Sequence, residues 1–151
     1  MENVKIRSAK KNDISIILGL LTELGRPKPK KDTDVEDFRK LVNKYLKDSD
    51  KEILVAENNL IEIVGFASII FLTRLNQNNF EMYIPEIIIH KKYQKQGIGK
   101  KLINSCISIA KEKKCHRIRL ESGNQRKESH KFYSNLGFKQ SALSFSKNLR
   151  S

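Results

Sequence analysis

The chain has 151 residues, enough for one well-buried core and too few for two domains of ordinary size, so a single domain spanning 1–151 is expected. A hydrophobic content of 38% beside 31% charged residues is that of a globular protein, and no apolar run approaches the roughly 20 residues of a membrane span. The formal charge of +13 admits a polyanionic partner, but the lysines are scattered along the chain as on a solvated surface, and neither nucleic acid nor membrane is expected as a partner.

Residues 4–7 read as a short strand. Asn12 or Asp13 then caps a helix with Ile14, Ile17, Leu18, Leu21 and Leu24 at helical spacing, and Gly25 ends it. The segment RPKPKKD is an extended loop. Thr33 and Glu36 form a capping-box pattern opening a second helix with Phe38, Leu41, Val42 and Tyr45 on one face. Residues 52–57 and 63–72 flank the Asn58-Asn59 turn as a hairpin, and a further strand covers 80–90. After the turn QKQGIG, residues 94–99, comes a helix with Leu102, Ile103, Cys106, Ile107, Ile109 and Ala110 on a broad apolar side. Residues 116–122 are read as a strand, 128–136 as a helix and 138–149 as one or two closing strands. The two cysteines, Cys106 and Cys115, fall in or beside regular elements, and MENVKIRSAKK has no apolar signal core; a reduced, cytoplasmic protein is expected.

A strand that passes through a Gly-rich turn into a helix N-terminus presents backbone N–H groups and the positive end of the helix dipole, which suits an anion. Gly97 and Gly99 permit close approach, and Lys95, Lys100 and Lys101 add charge. The turn is not a Walker A loop, because Gln94 stands where the first glycine belongs and Lys101 where Ser or Thr belongs. Nor is it a dinucleotide fingerprint, because Leu102 replaces the third glycine.

The pattern Q-x-x-G-x-G after an apolar strand resembles the acetyl-CoA pyrophosphate loop of the GNAT superfamily of N-acetyltransferases, whose usual form is Q/R-x-x-G-x-G/A. The likeness continues in VGFAS, EIIIHKKYQKQGIGKKLI and HKFYSNLGF, in register and over nearly the whole chain. It implies an α/β fold: a GNAT-like mixed central sheet, in the order β-α-α-β-β-β-α-β-α-β, flanked by helices on both faces. It implies that Ile87, Ile88 and Ile89 offer backbone groups to the pantetheine arm, and that Gln94, Lys95, Gln96, Gly97, Ile98, Gly99 and Lys100 wrap the pyrophosphate. Tyr133 matches the family's tyrosine acid. Glu86 is the base candidate, with Glu121 or water as alternatives; Pro85 stands where many relatives carry an acid and marks a bulge. Many relatives place a coenzyme-binding asparagine seven residues before the tyrosine. Here Arg126 holds that place, and Asn124, nine before, is the candidate.

The implied activity is acetyl transfer from acetyl-CoA, as cosubstrate, to a primary amine of a small molecule or peptide, without a covalent acyl-enzyme and without a metal. His90, His116 and His130 lack zinc-ligand spacing. The alternatives are a basic nucleic-acid-binding domain and a non-catalytic acyl-CoA sensor. A monomer or homodimer is expected, and the acceptor is not readable from the sequence.

Overall fold

The computed structural model describes residues 3–150. Strand β1 (Lys5–Ser8) pairs antiparallel with β2 (Lys51–Glu57), and β2 with β3 (Ile63–Leu72). The strand expected over 80–90 is present in two pieces, β4 (Glu81–Ile84) and β5 (Ile87–Ile89), both antiparallel to β3. With β6 (Arg117–Leu120) the sheet order is β1-β2-β3-β4-β6, and β5 pairs only with β3. Helices α1 (Ile14–Leu24) and α2 (Asp32–Lys47) connect β1 to β2, α3 (Ile98–Glu112) connects β5 to β6, and α4 (Lys127–Asn135) follows β6. This is the expected mixed α/β architecture. The chain forms two compact units, Met1–Arg119 and Leu120–Ser151. Among the described residues no helix is long and apolar enough to cross a membrane.

Strand alternation assigns the two faces of the sheet in the first unit. Ile53 and Val55 of β2 lie opposite Ser68 and Phe66, and Phe66 lies opposite Ile88. These apolar residues join Ile14, Ile17, Leu18, Phe38 and Val42 of α1 and α2 in one core. The intervening residues Leu54, Ala56, Ala67 and Ile69 are buried on the other face. Leu102, Ile103, Cys106 and Ala110 of α3, which packs against β1, β2, β3 and β5, are buried as well. Gly25 ends α1 at φ +116°, a left-handed conformation that favours glycine.

Three expectations are corrected. Helix α2 begins at Asp32 rather than after Thr33, because the Asp34 carboxylate accepts from the N–H groups of Lys30 (3.1 Å) and Lys31 (3.2 Å) and moves the cap from Thr33 back to Lys31. Leu41 is 55% exposed, since the core face of α2 runs through Phe38 and Val42 and leaves Leu41 on its flank. Residues 138–149 form no strand: Leu143 and Phe145 satisfy a period-2 pattern, but both are exposed and no ladder partner for this segment is found among the described residues.

The least ordinary feature of the sheet is Glu81, a fully buried acid at the start of β4. Three guanidiniums hold it: Arg74 Nη2 at 3.1 Å, Arg119 Nε at 2.9 Å and Arg117 Nε. Burial pushes its pKa up, but the hydrogen bonds from Arg119, Arg117 and Arg74 outweigh that and bring it down to about 2. A carboxylate depressed in the folded state contributes stability that is complete above its unfolded value and is lost as pH falls toward about 2. Glu81→Gln should therefore cost about 1–3 kcal/mol at pH 7, less than a fully buried pair because the arginines reach water. It should also flatten the loss of stability between pH 5 and pH 2, read by urea unfolding; an acid limb as steep as in the parent chain would assign acid sensitivity to other carboxylates.

Candidate active site

The site is built around an irregularity in the partner strand of β3. Ala67 lies opposite Ile87 and Ile70 opposite Tyr83, so two residues of β3, Ser68 and Ile69, face three on the partner, Ile84, Pro85 and Glu86. This is a β-bulge at the proline, where a residue without an N–H is tolerated. Ser68 closes it with both its backbone and its side chain. Its N–H donates to the Glu86 carbonyl (2.9 Å), its hydroxyl accepts from the Glu86 N–H (3.0 Å), and the same hydroxyl donates to Glu86 Oε2. Nearby Tyr45 donates to the Ile69 carbonyl at 3.0 Å. Burial, then the negative charge of Glu86, push the Tyr45 phenol up to about 12, so it remains protonated. Glu86, half-buried, is thus held on the face that α1 and α2 cover, beside two hydroxyls.

Beyond the bulge, β5 pairs with β3 on one edge only. The bonds from Ser68 N–H to Glu86 O and from His90 N–H to Val64 O (2.8 Å) turn the backbone of Glu86 and His90 toward β3, and alternation turns that of Ile88 the same way. The N–H and C=O groups of Ile87 and Ile89 consequently point to the other edge. Of the three isoleucines read as offering backbone groups, Ile88 spends its own on the sheet. The Ile89 carbonyl accepts from the Gln94 side-chain amide at 3.0 Å. Gly65 allows β5 to lie this close: a Cβ there would stand 2.8 Å from the Ile88 carbonyl oxygen.

The turn that follows is anchored at both ends. His90 accepts from Lys92 N–H through Nδ1 and places Nε2 3.3 Å from Glu23 on α1. Tyr93 donates to Glu62 Oε2 at 3.1 Å. Lys95 takes a left-handed conformation at φ +63° and Gly97 at φ +84°, bending the chain into the N-terminus of α3. No side chain caps that terminus, so the N–H groups of Ile98, Gly99 and Lys100 have no intrahelical acceptor. Lys95 and Lys100 are exposed, Gln96 and Gly99 half-buried, and the Ile98 side chain is core, so Ile98 contributes its backbone alone. Lys101 is corrected: its Nζ donates to the Val4 carbonyl, which takes it away from the turn.

In the second unit, Tyr133 on α4 packs edge-on against Phe132 (5.2 Å between centroids) and Phe138 (5.9 Å). Burial pushes its phenol up, with Arg126 opposing, so the hydroxyl carries its proton at neutral pH. Asn124 lies in an exposed turn closed by the bond from Arg126 N–H to Gly123 O (3.0 Å). Glu121 is exposed and accepts from Ser144 Oγ at 3.3 Å.

Neither cysteine is a ready nucleophile, because burial pushes the Cys106 thiol up to about 12 and raises that of Cys115. Sequence reasoning missed Ser68 and Tyr45. The signal for Ser68 was a lone hydroxyl in the otherwise apolar run IVGFASIIFL of β3, and Tyr45 was read only as a member of an apolar face.

Comparison with known proteins gives this geometry its context. The aminoalkylphosphonate N-acetyltransferase of Salmonella typhimurium is 27% identical over 145 residues, which is 96% of this chain and 91% of that protein. A Bacillus halodurans C-125 crystal structure described as a transcriptional regulator superposes with a TM-score of 0.89 at 30% identity, covering 97% of this chain and all of the other. An aminoglycoside N-acetyltransferase in complex with CoA shares the fold at a TM-score of 0.83 and 17% identity, over 100% of this chain and 97% of that one. The model of the acetyltransferase (GNAT) family matches residues 18–138, a span that contains the bulge, the open edge of β5, the Gly97 turn and Tyr133; the chain belongs to that family.

Proposed function

We propose that the protein transfers an acetyl group from acetyl-CoA to a primary amine of a small molecule, the whole chain acting as one acetyltransferase domain. The observation that carries this reading is the bulge at Pro85, which leaves the edge of β5 open in line with an uncapped helix N-terminus. In this reading the outward backbone groups of Ile87 and Ile89 pair with the pantetheine arm as an added strand would. The N–H groups at Gly97, Ile98, Gly99 and Lys100 hold the pyrophosphate, with Lys95 adding charge and Gln94 and Gln96 framing the turn. Asn124 takes a further contact with the coenzyme.

Glu86 accepts the proton of the acceptor ammonium, directly or through a water. The neutral amine attacks the thioester carbonyl and the N–C bond forms; the C–S bond breaks, the thiolate takes a proton from the Tyr133 hydroxyl, and the nitrogen gives up its extra proton through water to the tyrosinate, leaving one amide, one thiol and a restored phenol. Raised thiol pKa values at Cys106 and Cys115 support direct attack over an acyl-enzyme. The relative from Salmonella typhimurium, named for aminoalkylphosphonates, supports a small aliphatic amine as acceptor. The second reading, a basic nucleic-acid-binding protein, is favoured by the +13 charge and by the Bacillus halodurans protein's description; its mark is a salt-dependent gel shift as strong as coenzyme binding.

Four variants test the main reading. Gly97→Val puts a β-branched side chain at φ +84° against the proposed pyrophosphate, and acetyl-CoA affinity by calorimetry should fall about tenfold or more; unchanged affinity in a folded variant removes the turn from the site. Ser68→Ala leaves the Glu86 carboxylate without its hydroxyl donor. It should lower kcat/KM several-fold with little change in coenzyme affinity, while Glu86→Gln should lower it about 100-fold or more; turnover that survives Glu86→Gln gives the base role to another group. Tyr133→Phe keeps the ring against Phe132 and Phe138 and should lower kcat roughly 100-fold without weakening coenzyme binding. Wild-type turnover where chemistry limits the rate eliminates the phenol as the acid.

A further inference from the structure

Beside the bulge the hydroxyl protons are already spent. Ser68, on the same face of β3 as Phe66, gives its hydroxyl proton to Glu86 Oε2 and receives the Glu86 N–H at 3.0 Å. Tyr45 reaches that face from α2 and gives its only proton to the Ile69 carbonyl at 3.0 Å. The proton stays in place at neutral pH, since burial and then the Glu86 charge hold the phenol up at about 12. Ser68 is within hydrogen-bond reach of both Tyr45 and Glu86, so the phenol and the carboxylate flank one buried serine. What the two half-buried residues still offer is lone pairs, those of the Tyr45 hydroxyl and those of Glu86 Oε1, which has no partner among the described residues. The other charges beside Tyr45 are matched to each other: Lys51 Nζ lies 5.4 Å from the centre of its ring and pairs with Asp48 at 3.2 Å. Glu86 has no such counter-ion among the described residues.

We infer that Tyr45 is a specificity-determining residue of the acceptor site: its hydroxyl oxygen and Glu86 Oε1 accept N–H bonds from the acceptor's ammonium, so the site selects cations that carry N–H over cations that do not. The inference rests on the acetyl-transfer reading for the role of Glu86 and adds the second group that holds the acceptor's nitrogen. Hydroxyls that have committed their protons present acceptors alone, and an anion or a carbonyl finds no donor there. A primary ammonium brings three N–H donors, of which the carboxylate and the phenol take two and water the third. Bonds from a charged donor are the stronger kind, which suits recognition by two groups only. Cation–π attraction to the ring is the competing account of a tyrosine beside an amine, but here Lys51 already lies over the ring. The bond to Ile69 taken alone is a packing feature. Its consequence is chemical, because it leaves Tyr45 as an obligate acceptor beside a carboxylate without a counter-ion.

The test is a ligand-observed NMR titration of the full chain with propylamine and with propyltrimethylammonium at neutral pH, CoA being present so that no turnover occurs. The two probes are cations with the same alkyl chain, and only the first has N–H donors. The expected result is a Kd for propylamine about tenfold or more below that for propyltrimethylammonium. In Tyr45→Phe, which keeps the ring, that preference should fall about fivefold or more while acetyl-CoA affinity is unchanged, and kcat/KM for propylamine should fall mainly through KM. Glu86→Gln, which puts an amide donor among the acceptors, should reduce the preference as well. Equal affinity for the two cations in the parent chain overturns the inference. So does a preference that survives Tyr45→Phe but not Glu86→Gln, which leaves recognition to the carboxylate alone. A purely structural phenol lowers both affinities together in Tyr45→Phe and keeps their ratio, and that result also overturns it. The readout is separate from acetyl transfer. A Tyr45-dependent preference with no turnover of any amine defeats the acetyl-transfer reading and sustains this inference, and turnover of propylamine at the parent kcat/KM in Tyr45→Phe does the reverse.

Discussion

A single extra residue on the strand beside β3 sets the terms for the rest of the molecule. Three residues facing two rotate everything beyond Pro85 by one position relative to β3, so that Glu86 meets Ser68 and the pairing resumes at Ile87 in a new phase. Without the bulge, residues 81–89 would form one uninterrupted strand whose far edge a neighbour could pair throughout. With it, β6 lies beside β4, and β5 keeps an edge that no strand pairs among the described residues, which in a sheet is a binding surface. The bulge is stable because Ser68 satisfies the groups it disturbs, and β5 stays seated because Gly65 leaves room for the Ile88 carbonyl and the Ile89 side chain.

Charge in this protein divides into two populations. Most lysines are exposed and solvated, and their contribution to the +13 balance is to solubility and long-range field. A smaller set of arginines is organised: Arg7 bridges Asp13 at 2.8 Å and Glu57 at 2.8 Å, tying β1, the start of α1 and the end of β2 together, and the trio around Glu81 ties the β3–β4 connection to β6. Planar forks with several donors do this work because each can engage two acceptors at once. The turn before α3 is held differently, by side-chain contacts of His90 and Tyr93, and it retains a lysine at positive φ that costs about 1 kcal/mol relative to glycine.

How much of this was legible beforehand follows from the range of each interaction. Helices α1 and α3 were readable because their burial repeats at helical spacing, and Gly25 and Gly97 because a left-handed backbone writes itself as glycine. Pro85 announced the bulge for the same local reason. Ser68, by contrast, matters only because the register brings it against Glu86, eighteen residues away, and a serine in an apolar strand carries no mark of that. The arginines around Glu81 come from two separate segments, Arg74 before β4 and Arg117 and Arg119 on β6, so no single window contains the cluster. The segment 138–149 misled in the opposite direction: its alternation is a local property, while strand formation depends on a partner that a local pattern does not supply.

The contact between Lys101 and the Val4 carbonyl spans 97 positions of sequence. It fastens the first turn of α3 to the residue preceding β1, so the helix that frames the glycine turn is anchored by a segment that precedes the whole sheet in sequence. That early strand has its ladder partner only when residues 51–57 have been made, and its lysine only when residue 101 has. The architecture is therefore one of distant pairings, and the expected cost is kinetic: slow closure of long loops, during which the apolar strands β2 and β3 are exposed to other chains.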